Sequence, residues 1–310
     1  MPAAALPDLP DLSARWETDA LDLDAYLRRI QYDGPRVPSL AVLRELQRAH
    51  LQAIPFENLD VMAGIEVRLD MDSLQDKLVR RGRGGYCHEH NILFATVLSR
   101  LGFEVAGRNA RILMGDDERR LTPLGHTMLA VFVEGRAWHV DVGVGNIGPR
   151  EPMPLEDGVQ VDHDGWRYRI DRGPGGRWVL RHLRDDGWFN VYQFTDETYY
   201  RVDYGEQNFL VMYHPDSPFH KQIIVQYNGA ESRYALTGRQ LKTWRPGRDV
   251  EQREISDSAF PSVLEQVFGL EIDSAQLGAL LKRLDEPENP KSQGEGDHGP
   301  TDERDHAGSQ

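Results

Sequence analysis

One cysteine stands in this chain of 310 residues, Cys87, and around it runs Arg83-Gly84-Gly85-Tyr86-Cys87-His88-Glu89-His90-Asn91. A lone cysteine has no disulfide partner within its own chain, so its chemistry is that of a thiol. The glycine pair before it permits a tight turn, because neither residue carries a Cβ. The apolar residues after it, Ile92, Leu93, Phe94, Val97, Leu98 and Leu101, recur at helical spacing, and Gly102 suits the position just past a helix end. Cys87 therefore belongs at a helix N-terminus, where unpaired N–H groups and the helix dipole favour an anion. With a basic neighbour, such a setting lowers a thiol pKa to about 3.5–7.5. The thiolate is the nucleophilic form. The competing reading is a small buried hydrophobe, and a general base elsewhere in the chain would separate the two.

A thiol nucleophile works with an imidazole that takes its proton and a third group that orients the imidazole. Eleven histidines are available, and two of them lie in the segment from Gly125-His126-Thr127 to His139-Val140-Asp141-Val142-Gly143. Glu134-Gly135 between them is a turn signal. If it forms a two-residue hairpin loop, Val133 faces Arg136, Met128 faces Asp141, and His126 lies diagonally from Asp141 on the same face. Asp141 has apolar neighbours, Val140 and Val142, and a carboxylate in such a setting needs a partner. His139 shares that face too. The strand-end position favours His126 as the base and a mid-strand structural role suits His139, but the hairpin alone leaves both open.

Other local signals lead nowhere. Gly143-Val144-Gly145-Asn146-Ile147-Gly148 fits G-x-G-x-x-G, but Pro149 and Pro152 block the helix that would hold a pyrophosphate. Gly82-Arg83-Gly84-Gly85 lacks the Lys and Ser/Thr of a phosphate loop. His88-Glu89-His90 lacks the H-E-x-x-H spacing, and one cysteine makes no sulfur-rich zinc set. No metal is expected. Glu89 and Asn91 are expected to hold the cysteine loop by local hydrogen bonds.

The elements that position these residues follow from periodicity. Helices are predicted at residues 21–30, at 40–54 with Ser39 as cap, from a cap at Ser73, and from Cys87 to about 101. Beyond Gly102 the period shortens. Strands are predicted at 127–133, 137–142, 166–170, 178–183 and 188–192, at a spacing that suggests a barrel or sandwich. Then come a short helix near 196–203, strands at 222–227 and 232–236, and helices at 261–268 and 275–284. Residues 1–20 read as a loose extension. Residues beyond 285 nearly lack apolar side chains and read as a disordered acidic tail.

A net charge of −14 argues against a general nucleic-acid binder. No apolar run approaches the ~20 residues that span a bilayer, the N-terminus lacks the features of a signal peptide, and a free thiol suits a reducing cytoplasm.

The sequence resembles the arylamine N-acetyltransferase family. Leu23-Asp24-Ala25-Tyr26-Leu27-Arg28-Arg29-Ile30 is similar to its opening helix, and Ile54-Pro55-Phe56-Glu57-Asn58-Leu59-Asp60-Val61 to its P-F-E-N-L segment. Residues 83–91 fit R-G-G-x-C-x-E-x-N, and Gly125-His126-Thr127 and Val140-Asp141-Val142-Gly143 fit the segments bearing the other two members of a catalytic triad. The resemblance covers about residues 21–285 and selects His126 over His139. It implies an α+β chain: helical domain 21–104 with the nucleophile, antiparallel β-barrel 105–195 with His and Asp, and α/β lid 196–285, between an extension (1–20) and a tail (286–310).

The implied activity is two-step acetyl transfer from acetyl-CoA, a co-substrate and not a bound cofactor, through Cys87 to an arylamine, hydrazine or arylhydroxylamine. The oxyanion formed in each step would meet the N–H groups of Cys87 and Thr127. Phe56, Tyr86 and Val144 are the implied acceptor contacts. Thr127, Gly143, Gly145 and Ser217 are the implied coenzyme A contacts. Two departures stand out. Val144 occupies a position where the family usually has an aromatic, which implies a roomier pocket. Met212-Tyr213 stand where Ser-Thr is usual. The alternatives are an amide synthase closing a macrolactam from a carrier-bound acyl chain, and a transglutaminase-like or papain-like enzyme acting on peptide amides.

Overall fold

The computed structural model describes residues 16–215 and 217–285. The expected tail and residues 1–15 of the expected extension lie outside them. Residues 16–20 are not loose. Trp16 is buried, its carbonyl accepts Thr96 Oγ1 at 2.7 Å, and a 3-10 turn follows at Thr18–Ala20. A tryptophan carries enough apolar area to pin a terminus once a groove is present, and composition alone hid that.

The helical region contains Leu23–Arg29, Leu40–Ala53, the short Leu59–Met62, Met71–Leu74 running into the π-helical Gln75–Arg80, and Cys87–Arg100. Ser39 caps the second helix, its Oγ accepting Val42 N–H at 3.2 Å. The expected cap at Ser73 is instead Asp70, whose carboxylate accepts both the N–H and the hydroxyl of Ser73. Both are good caps, and Asp70 begins the helix one turn earlier.

Helix Cys87–Arg100 is the centre of the region, buried from Cys87 through Leu98. It ends in a Schellman arrangement: Gly102, at φ +91°, donates to Ser99 O at 3.0 Å, and Phe103 donates to Leu98 O at 3.0 Å.

An eight-stranded antiparallel sheet packs on that helix. In spatial order its strands are Met153–Pro154, Arg136–Val140, Leu124–Val133, Glu104–Ile112, Gly187–Phe194, Trp178–Arg184, Trp166–Arg172 and Val159–His163. The two ends of this order approach each other, so the sheet is a nearly closed barrel. The hairpin forms with a two-residue loop. Val133 pairs with Arg136, and the register runs to Leu129 opposite Val140. Glu134 and Gly135 both take positive φ, 53° and 72°, as a type I′ turn requires. Strand Glu104–Ile112 has no clear period-2 pattern, because Gly107, Arg108 and Asn109 interrupt it. Gly107 is where another segment comes close: a Cβ there would lie 2.6 Å from Tyr199 O and strike the Tyr204 hydroxyl.

A second sheet orders Phe56–Glu57, Ile224–Asn228, Arg233–Thr237, Gln240–Trp244 and Glu251–Glu254. Helices Phe260–Phe268 and Ser274–Asp285 share its apolar core. The short helix expected near 196–203 is instead the 13-residue Arg201–Tyr213. Gly205, two valines and Asn208 weaken its intrinsic propensity, and burial of Tyr204, Asn208 and Met212 along one stripe holds it. Among the described residues no helix is long and apolar enough to cross a membrane.

Candidate active site

The cysteine loop is fixed from below by buried charge. Arg83 pairs with Glu57 at 2.7 Å and Asp60 at 3.1 Å, and Lys77 with Glu89 and Asp60 at 2.9 Å each. Burial favours a neutral Lys77 amine, but Glu89, Glu57 and Asp60 around it raise its pKa. Glu89 also accepts the Tyr86 N–H at 3.0 Å, so the residue three positions on closes the turn before the helix. Gly84 and Gly85 are tight for a reason: a Cβ on the first would strike Pro55 O, and one on the second would lie 2.6 Å from Glu89 Oε2.

Cys87 is the first residue of its helix and is buried. Its sulfur lies 3.6 Å from His88 Nδ1 and 3.8 Å from Gly125 O, and His126 is near enough to act on its ionisation. Burial opposes ionisation of the thiol, but His88 and His126 outweigh it and bring the pKa down to about 5. His126 Nε2 is 2.7 Å from Asp141 Oδ2, which leaves Nδ1 for the sulfur. Burial would lower the imidazole pKa, but Asp141 first and the Cys87 sulfur second raise it to about 10. Both shifts favour the thiolate–imidazolium form of the pair. Asp141 also accepts Asn91 Nδ2 at 3.0 Å, Gly143 N–H at 2.8 Å and the Tyr192 hydroxyl at 2.8 Å. Burial raises its pKa, but His126 and Asn91 pull it down to about 2.

His139 reaches the carboxylate only through Tyr192, whose oxygen is 2.9 Å from His139 Nε2. The Tyr192 proton goes to Asp141, so His139 Nε2–H must donate to the phenol. Burial holds His139 neutral, with a pKa of about 4. Strand pairing stops at Val140, so Asp141 leaves the ladder and turns towards His126 at the strand end.

A cavity of about 800 Å³ opens over the sulfur, with Phe56, His126, Gly143, Val144 and Ser217 among its walls and Gln207, Leu210 and Val211 on the lid side. Tyr86, Thr127 and Gly145 do not line it. Tyr86 stacks at 5.5 Å on Phe219 and bonds to Asn208, so it supports the wall from behind. Gly145, at φ +78°, lies where a Cβ would strike Gln226 Oε1. Gly143 presses on Cys87 itself, since a Cβ there would lie 2.7 Å from Cys87 Cα.

Thr127 sits one layer back, opposite Asn109. Tyr199 N–H takes Gly107 O on the far edge, so by antiparallel alternation Asn109 and Thr127 form a non-hydrogen-bonded pair. The N–H and C=O of Thr127 therefore turn towards the Cys87 helix, where the C=O accepts Asn91 Nδ2 at 2.6 Å. Of the lid departures, Met212 is buried beside Phe56, Tyr86 and Cys87, and Tyr213 is exposed.

A family model described as N-acetyltransferase matches residues 39–277. An arylamine N-acetyltransferase of Mycobacterium tuberculosis is 37% identical over 272 residues, 86% of this chain and 96% of its own. The chain belongs to the arylamine N-acetyltransferase family. As a member it is an acyltransferase. The arylamine N-acetyltransferase of Escherichia coli K12 is 34% identical, over 84% of this chain and 93% of its own. Among solved structures, that of Nocardia farcinica arylamine N-acetyltransferase matches with a TM-score of 0.83 at 40% identity, over 88% of this chain and 97% of that one. That of the Mycobacterium marinum enzyme in complex with CoA matches at 0.80 and 37% identity, over 85% and 98%. The family fold of helical bundle, antiparallel barrel and α/β lid is the one found here.

Three partners of the site were not legible beforehand. Asn91 does more than hold its own loop: it bridges the helix to Asp141, Thr127 and Val142. Its spacing, one helical turn after Cys87, was the available signal. Tyr192 arrives from a distant strand, and Gln207 from a helix expected only as a short one near 196–203, beyond which Gln207 lies.

Proposed function

We propose that the protein moves an acetyl group from acetyl-CoA to the nitrogen of an arylamine or hydrazine through an acetyl-Cys87 intermediate. The observation that carries this reading is the buried Cys87–His126–Asp141 chain at the wall of a cavity large enough for an aromatic acceptor. The complex with CoA known for the similar Mycobacterium marinum enzyme supports coenzyme A as the donor.

The Cys87 thiolate attacks the thioester carbonyl carbon and forms a new C–S bond. Negative charge on the oxygen meets the N–H of Cys87, which has no acceptor within its helix; Thr127, one layer behind the cavity, does not reach it. The bond to the CoA sulfur breaks, and His126 gives its proton to that sulfur. The acceptor nitrogen then attacks acetyl-Cys87, His126 takes the nitrogen's proton, and the cysteine leaves as thiolate. Each cycle therefore restores the starting charges. Asp141 holds His126 in the tautomer and direction that both proton transfers need.

The protein is incubated with acetyl-CoA alone and weighed intact, and the modified residue is mapped. One acetyl group on Cys87, with CoA released in equal amount, is the expected result. Initial rates against acetyl-CoA at several arylamine concentrations should give parallel lines. Intersecting lines, or turnover surviving in Cys87→Ala, would remove the intermediate. Inertness towards acetyl-CoA with acylation from a peptide amide would redirect the donor assignment.

A further inference from the structure

A second imidazole touches the reactive sulfur, and the triad scheme gives it no work. His88 Nδ1 is 3.6 Å from Cys87 Sγ, and the ring is completely buried. In R-G-G-x-C-x-E-x-N this position is an open one. Adjacent residues on a helix point about 100° apart, so contact between Sγ and the next side chain needs the ring to be held back against it.

Three side chains hold it. Tyr86 meets the ring edge-on at 5.9 Å, and Tyr204 does so at 6.2 Å from helix Arg201–Tyr213. Gln207, from the same helix, places Oε1 3.4 Å from His88 Nε2. An amide oxygen only accepts, so it keeps a proton on Nε2 and leaves Nδ1 to face the sulfur. Neutral, that nitrogen accepts from the thiol. Protonated, it donates to the thiolate, and this is the form that favours the anion. His126 is held in the same way, Nε2 on Asp141 and Nδ1 left for the sulfur, so the thiol has two imidazole neighbours.

We propose that His88 is a second imidazole partner of Cys87, aimed by Gln207 of the lid helix, and that it enlarges the thiolate population on which acetylation depends. The inference rests on Cys87 being the nucleophile. Other titratable groups surround the sulfur. The barrel brings His126 with Asp141 and Tyr192 behind it, the lid brings Tyr204, Tyr213 and His214, and the cysteine loop brings Tyr86 and Glu89 with Lys77. Of these, Tyr204 meets the His88 ring, and Gln207 ties that helix to the same ring.

With one cysteine in the chain, thiolate absorbance and iodoacetamide alkylation both report on Cys87 alone. They are followed against pH in wild type, His88→Phe, His88→Asn and Gln207→Leu, with circular dichroism confirming each fold. His88→Phe keeps an aromatic ring between Tyr86 and Tyr204. It should raise the ionisation midpoint by about one pH unit and slow alkylation at mildly acidic pH about tenfold. At alkaline pH the rates should converge. His88→Asn keeps a neutral donor and should fall between. Gln207→Leu should move the midpoint the same way by less. An unchanged midpoint in folded His88→Phe overturns the proposal. If that variant does not fold, an unchanged midpoint in both His88→Asn and Gln207→Leu overturns it. Each protein is also weighed after exposure to acetyl-CoA. A wild type that takes up no acetyl group refutes the nucleophile assignment, whatever the titrations show.

Discussion

Asp141 accepts hydrogen bonds from His126, Tyr192, Asn91 and the Gly143 N–H. An asparagine has the same shape, but its amide nitrogen cannot accept from His126 or Tyr192. In Asp141→Asn the His126 ring should turn to the wrong tautomer or lose its aim. The analogous change in a serine triad costs about 10⁴ in kcat, and a loss of that order is expected here, measured by arylamine acetylation on folded protein. The acid–base behaviour is also set at this scale. The Cys87 thiol is lowered to about 5 and the His126 imidazole raised to about 10. The reactive ion pair is therefore lost as pH falls through about 5, where the sulfur protonates, and as pH rises through about 10, where the ring loses its proton. Single-turnover acetylation against pH should show a broad plateau between two limbs, their positions belonging to the coupled pair. A limb near neutrality would contradict these values.

At the scale of elements, the hairpin and the segment after it do the positioning. The loop Glu134-Gly135 sets the register, and the register puts His126 and Asp141 on one face. Strand pairing then ends, and the chain crosses Cys87 at Gly143, where nothing larger than hydrogen fits against Cys87 Cα. The next residue, Val144, is a cavity wall. Replacing it with phenylalanine should narrow the cavity. Small arylamines should keep most of their kcat/KM. Bulky acceptors should lose roughly 10–200-fold, the usual range for a methylene's misfit in an apolar pocket. An acceptor profile identical to wild type would show that this wall does not select.

The whole molecule carries a further consequence in its buried histidines. His50 is pushed well below its ordinary pKa, His90, His139 and His163 to about 4, and His182 to about 3, each chiefly by burial. In the unfolded chain these groups titrate near 6.5. Between that value and about 4 the unfolded state binds more protons, so stability falls as pH falls. His126 has the opposite sign: its contribution is full below about 6.5 and fades as pH rises through about 10. A tenfold change in proton affinity is worth about 1.4 kcal/mol, so the five neutral histidines together outweigh the one charged one on the acid side. Urea midpoints should drop steeply from pH 7 to pH 4.5, and pairing His90→Gln with His182→Gln should flatten that slope. A flat midpoint in the wild type would refute the argument.

Local chemistry made part of this protein legible from its residues alone. The glycine pair, the apolar period after it and Gly102 fixed the helix that begins at Cys87. The Glu134-Gly135 turn with alternating flanks fixed the hairpin and hence the shared face of His126, His139 and Asp141. These features are set by backbone sterics and by neighbours a few residues away. Their motifs also carried the family resemblance, and with it the three-part fold. Residue physics left two histidines open and the resemblance selected His126; the tertiary structure supplies the physical reason. Strand alternation cannot distinguish two residues on one face, whereas the end of pairing at Val140 turns Asp141 towards His126 and leaves Tyr192 between it and His139. Helix Arg201–Tyr213 likewise owes its length to buried Tyr204, Asn208 and Met212, and strand Glu104–Ile112 takes its place from partners on both sides. In each case the deciding contact joins residues far apart in the chain, and no local preference encodes a partner that only folding brings near.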